Sequence, residues 1–142
     1  MKSLSLEQMN KLKELGVDVK PKGMCLMYTS DSSDNYYLKY GESTCEDDVV
    51  AFGLHDIIEL LPKQIINCNE IYLLKIIPIS NEVLYVQFNA QICADITKYP
   101  LRVKKSDSLF NSLFEMLVWV IKNGYLKRNK TNSYEVQSRR QS

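Results

Sequence analysis

Histidine is nearly absent from the chain: His55 is the only one among 142 residues. The four cysteines, at positions 25, 45, 68 and 93, include no CxxC pair. A structural zinc site draws four ligands from paired spacings, and a nucleophilic cysteine needs a base within hydrogen-bond reach. Neither arrangement has a local signature here. Glycine is sparse as well, at five residues, and no GxGxxG, Walker or GxSxG sequence occurs. Phosphate-cradling loops and nucleophile elbows are therefore not signalled. The expectation is a chain with no catalytic residue, no metal ligand and no cofactor, and hence not an enzyme.

Long apolar runs are also missing. The longest, such as Met116 to Ile121, fall far short of the roughly 18 to 20 residues of a membrane-crossing helix. No membrane partner is expected. The opening Met1-Lys-Ser-Leu-Ser-Leu-Glu-Gln8 has no apolar core and no cleavage site, which reads as the absence of a secretory signal. Cys25 and Cys93 lie in apolar stretches where a free thiol behaves as a small hydrophobe. Together these features point to a cytoplasmic protein with reduced cysteines.

What remains is ordinary globular composition, 45% hydrophobic and 25% charged, at a length typical of one domain. Charge is uneven along the chain. The last sixteen residues hold five cations (Lys127, Arg128, Lys130, Arg139 and Arg140) and one acid, a net +4. Since the whole chain is +1, the other 126 residues carry −3. With little to bury, residues 127–142 read as a basic, flexible tail behind a single domain spanning 1–126.

Local signals mark several elements. Ser5-Leu-Glu-Gln8 has the spacing of a capping box, and Leu4 and Met9 occupy staple positions. Leu6, Met9, Leu12 and Leu15 follow as an apolar stripe, and Gly16 stands where a helix C-terminus takes positive φ. Residues 23–28 and 36–40 read as a hairpin around the polar loop 29–35, and Val49 to Phe52 as a short strand. Leu54, Ile57, Ile58 and Leu61 make one helical face, with Asp56 near the N-terminal dipole and Pro62 as the stop. Ile71 to Ile79 and Val83 to Phe88 read as a second hairpin with both faces largely apolar, which requires Pro78 at a strand end or edge. Leu101 to Lys104 reads as one more strand.

The strongest element is the last. Ser106-Asp-Ser108 opens a helix that is apolar over most of its circumference from Leu109 to Ile121, and Gly124 closes it. The fold expected is α+β. An antiparallel sheet of about four to five strands, built from two hairpins, packs against this long C-terminal helix and two shorter ones.

Three further constellations bear on chemistry. Asp31, Ser33, Asn35 and Glu42 match an EF-hand register, but Tyr36 replaces the required glycine and the flanks are strands, so a solvated loop is the better reading. Glu42, Glu46, Asp47 and Asp48 read as a solvated acidic run. His55 falls on the polar side of its helix. On the last helix, Ser108, Asn111, Ser112, Glu115 and Lys122 cluster on a side expected to face water, with Trp119 among them. Tryptophan is enriched at the energetic centres of interfaces. Trp119 is then half-exposed, covered by the otherwise unassigned segment 89–100, or an anchor of an intermolecular contact. On the last reading Trp119, Glu115 and Lys122 are candidate contact residues for self-association or for an unknown protein partner.

Three segments together carry a resemblance: residues 3–18, residues 51–63 (Ala-Phe-Gly-Leu-His-Asp-Ile-Ile-Glu-Leu-Leu-Pro-Lys) and residues 113–126. In this order they resemble small uncharacterised proteins of prophages and other mobile elements in gut anaerobic bacteria. In that pattern a hydroxyl residue caps the second helix, where this chain has Gly53. The resemblance implies a structural framework and no site residues. The leading expectation is a non-enzymatic accessory or protein-interaction protein of a prophage or mobile element. The alternative is a nucleic-acid-associated protein binding through Lys127, Arg128, Lys130, Arg139 and Arg140.

Overall fold

The Ser5 hydroxyl accepts from the Gln8 amide at 3.1 Å while the Gln8 side chain accepts from the Ser5 amide at 3.0 Å. The capping box thus forms as its spacing requires, and α1 (Leu6–Glu14) follows. The structure is a computed structural model that describes residues 2–30, 35–88 and 100–126. Its α+β class agrees with expectation. Among the described residues there are three α-helices and two antiparallel sheets.

The division into two sheets departs from the single sheet expected. Each predicted hairpin lies in its own sheet. The described residues group into two compact units, those up to Asp56 and Ile57–Leu126. The tail residues 127–142 and the segment 89–99 lie outside the described residues.

In the first unit, β1 (Cys25–Ser30) is the central strand, flanked by β2 (Tyr36–Gly41) and β3 (Val49–Val50). The β1–β2 register is continuous from Cys25 opposite Gly41 to Ser30 opposite Tyr36. The chain on either side of α1 is stitched to the β3 segment, because the Leu4 amide donates to Phe52 O and the Val50 amide to Val19 O, each at 2.9 Å. These bonds hold Met9 and Leu12 in the core, both fully buried. The Tyr28 hydroxyl donates to Leu4 O at 2.7 Å, tying the sheet to the same segment.

The boundary between the units falls within α2 (Leu54–Leu60). Here the Gly53 amide donates to the Asp56 carboxylate at 2.8 Å, half of a capping box whose other half needs the hydroxyl this chain lacks. Ile57 and Leu61 are buried as predicted. Leu54 is not: it is 40% exposed, because it sits in the first turn where the apolar face has just begun.

The second unit carries the sheet β4-β5-β6-β7, made of β4 (Gln64–Asn67), β5 (Glu70–Ile77), β6 (Glu82–Gln87) and β7 (Pro100–Lys105). Pro78 stands at the end of β5, opening a one-turn 3₁₀ helix that closes on Asn81 in the left-handed region. Strand β6 is buried on both faces from Val83 to Val86, as its two-sided apolar pattern demands. α3 (Leu109–Lys122) follows β7 and buries Leu113, Met116, Leu117 and Val120 completely. Each such side chain contributes on the order of 2 kcal/mol of transfer free energy. Gly124 takes φ +77° just past its end.

Candidate interaction surface

The sites expected to lack chemistry are placed as follows. His55 is exposed near the start of α2. Cys25, Cys45 and Cys68 are free thiols, and Cys93 lies outside the described residues. Among the described residues, no group of three or more His, Cys, Asp or Glu side chains is placed to hold a metal ion. No helix among them is long and apolar enough to cross a membrane. Residues 31–34 of the candidate calcium loop also lie outside the described residues.

The acidic run is corrected at one member. Glu42, Glu46 and Asp47 are exposed, but Asp48 is only 4% exposed. Its Oδ2 accepts from the Ser43 hydroxyl at 2.9 Å, the Thr44 amide at 3.1 Å and the Cys45 amide at 3.2 Å. Its Oδ1 is buried without a hydrogen bond of ordinary geometry. Burial pushes the carboxyl up. The Thr29 and Ser43 hydroxyls and the Thr44 and Cys45 amides outweigh that and hold it below its usual value. Asp48 therefore organises the loop from within. A shallow cavity of about 340 Å³ beside it is lined by Lys20, Pro21 and residues of this loop.

The polar side of α3 is corrected as well. Ser112 is fully buried, not facing water. Its hydroxyl donates to Asn81 O at 2.6 Å and accepts from the Ser106 amide at 2.9 Å. Glu115 and Lys122 are exposed, whereas Trp119 is half-buried. The Trp119 indole lies 5.4 Å from the Tyr125 ring and 6.4 Å from that of Tyr85, both tilted. Such tilted contacts suit the aromatic quadrupole. Tyr85 is fully buried and its hydroxyl donates to Pro62 O at 2.8 Å. Burial raises that phenol well above its usual value. The five tail cations, from Lys127 to Arg140, lie outside the described residues.

The feature that periodicity missed is β2. Tyr36, Tyr37, Leu38 and Tyr40 are all exposed, Tyr40 by 67%. These are the residue types that fill interiors, placed together on an edge strand. The register puts Tyr36, Leu38 and Tyr40 on one face with Ser30, Tyr28 and Leu26, and Tyr37 and Lys39 on the other. Lys39 is the strand's only charge, and the strand has neither proline nor bulge to blunt its edge. Its aromatic richness was legible in the sequence. That it lies uncovered among the described residues was not, because edge position follows from topology. A second apolar patch, Ile66 with Ile71 and Phe88, lies on β4, β5 and the end of β6, Ile66 being 63% exposed.

No known protein family, curated protein or solved structure matches the chain.

Proposed function

We propose that the chain is a non-enzymatic accessory protein acting by protein–protein contact, working in the cytoplasm as part of a prophage or mobile element. The observation that carries the reading is β2, where four of five consecutive residues are large, apolar or aromatic, and exposed on an edge strand. Contiguous apolar surface of this kind marks contact sites in soluble proteins, whereas singly scattered apolar residues do not. Tyrosine supplies large contact area with few rotors to freeze, so it is favoured at interfaces. The assignment to a mobile element is supported by the three-segment resemblance alone. Trp119, with exposed Glu115 and Lys122 beside it, is a second contact face within the same proposal.

The test is affinity capture of tagged wild-type protein and of a Tyr36→Thr/Tyr40→Thr variant from the native cell. Threonine keeps the strand propensity while removing the rings. The reading predicts that the variant loses captured protein and keeps its thermal midpoint within a few degrees. Equal capture by both would remove β2 as the contact surface.

A further inference from the structure

The direction of the free backbone groups on β2 is fixed by a single bond on the far side of the sheet. The Ala51 amide donates to Leu26 O at 2.9 Å, so Leu26 aims its backbone groups toward β3. Backbone direction alternates along a strand. Cys25, Met27 and Thr29 therefore aim at β2, where they lie opposite Gly41, Lys39 and Tyr37. Those three residues of β2 bond back to β1, which leaves the amides and carbonyls of Tyr36, Leu38 and Tyr40 pointing outward. Among the described residues no strand pairs with this side.

We infer that two copies of this chain pair antiparallel through β2, with Leu38 on the two-fold axis, joining two three-stranded sheets into one of six strands. The inference rests on the reading of β2 as a contact surface and names its partner. With Leu38 opposite Leu38 of the second copy, Tyr36 falls opposite the second copy's Tyr40, and Tyr37 opposite its Lys39. All three outward-pointing residues then meet outward-pointing residues, so the ladder closes with both members of each hydrogen-bonded pair in place. The side-chain pairs are also favourable. Tyrosine meets tyrosine twice, the Lys39 ammonium meets a Tyr37 ring twice, and leucine meets leucine once.

Neighbouring registers are poorer. Sliding the dyad to Lys39 sets two ammonium groups against each other, and sliding it to Tyr37 moves each Lys39 away from the Tyr37 ring to a position opposite Asn35. A two-fold axis perpendicular to the sheet keeps like faces together, so Tyr36, Leu38 and Tyr40 of both copies form one continuous apolar surface. Pairing along the strand edge leaves both faces of the joined sheet open, so its gain comes from the new backbone hydrogen bonds and the flanking side-chain contacts more than from burial. A small, edge-on contact of this kind fits a weak, reversible dimer.

The experiment is sedimentation of the full chain across a concentration series. Wild type is measured beside Leu38→Lys, Leu38→Glu and an equimolar mixture of the two variants, with circular dichroism as the folding control. Because Leu38 faces itself across the axis, each variant alone sets like charges together and loses the leucine contact, which weakens the dimer by about tenfold or more. The mixture places opposite charges on the axis and restores the dimer. Wild type that is monomeric at about 1 mM overturns the pairing, since its affinity would lie below any useful range. Variants that dimerise as wild type does, or a mixture that fails to restore the dimer, overturn it too. A monomeric wild type whose capture of another protein still depends on Tyr36 and Tyr40 overturns the pairing but leaves the contact reading standing. A monomeric wild type whose capture ignores those residues removes both.

Discussion

The Ser112 hydroxyl donates to the carbonyl of Asn81 at 2.6 Å, fastening the first turn-and-a-half of α3 to the left-handed residue that ends the β5–β6 connection. The same oxygen accepts from the Ser106 amide at 2.9 Å. One buried hydroxyl therefore satisfies a donor and an acceptor that neither the helix nor the sheet could satisfy alone. Ser112→Ala removes both partners at once and leaves two part-buried backbone groups unpaired. The expected cost is about 1–3 kcal/mol, read as a lowered thermal or denaturant midpoint. A variant as stable as wild type would show that water or the Ser106 hydroxyl replaces the bond.

Asp48 makes a prediction about pH. Its folded carboxyl is held below its usual value by hydrogen bonds that outweigh burial. The stabilisation is therefore fully present above the unfolded value near 4 and fades as pH falls through the folded value. Asp48→Asn keeps the shape but weakens the charge-assisted bonds from the Thr44 and Cys45 amides. It should cost about 1–2 kcal/mol at neutral pH. Denaturation at a series of pH values should show the gap between variant and wild type narrowing below about pH 4. A gap that is constant with pH would mean the charge contributes nothing.

The α3 face separates packing from contact. Trp119→Ala loses ring contacts with Tyr85 and Tyr125 and should lower the midpoint by about 1–3 kcal/mol in stability whatever else it does. Lys122→Glu touches only an exposed charge. If this face takes part in partner contact, Lys122→Glu weakens capture and leaves the midpoint in place. Unchanged capture would confine Trp119 to a packing role.

The basic tail is tested by removal. Retention of full-length protein on DNA at low salt, falling steeply with added salt and lost without residues 127–142, would move the function to nucleic-acid association. The contact account predicts no such retention, and a truncated chain that keeps the partner of the full one.

Short-range signals made much of the fold legible. The capping box at Ser5, the serine at Ser108 and the glycines at 16 and 124 each act within one turn, so their outcome needs no knowledge of the rest of the chain. The hairpins were legible for the same reason. Strand β4 was not, because its four residues reach β5 through Cys68 and Asn69, both at positive φ, where a glycine would have announced the turn. The split into two sheets depends on β1 meeting β3, a pairing of Met27 with Val50 that no local pattern encodes. Ser112 was misplaced because a helical wheel sees the helix and not the carbonyl of Asn81 waiting opposite it. For the candidate site, the tyrosines of β2 were visible as strand formers. Their exposure emerged only when β1 proved to have β3 on its other side.

Amide hydrogen exchange on the wild-type chain, followed from low to high protein concentration, tests the β2 pairing most directly. The account predicts that the Tyr36, Leu38 and Tyr40 amides, which point away from β1, exchange more slowly as concentration rises. The Tyr37, Lys39 and Gly41 amides, already bonded to β1, should change little. Outward amides that exchange at one rate across the whole range would contradict it.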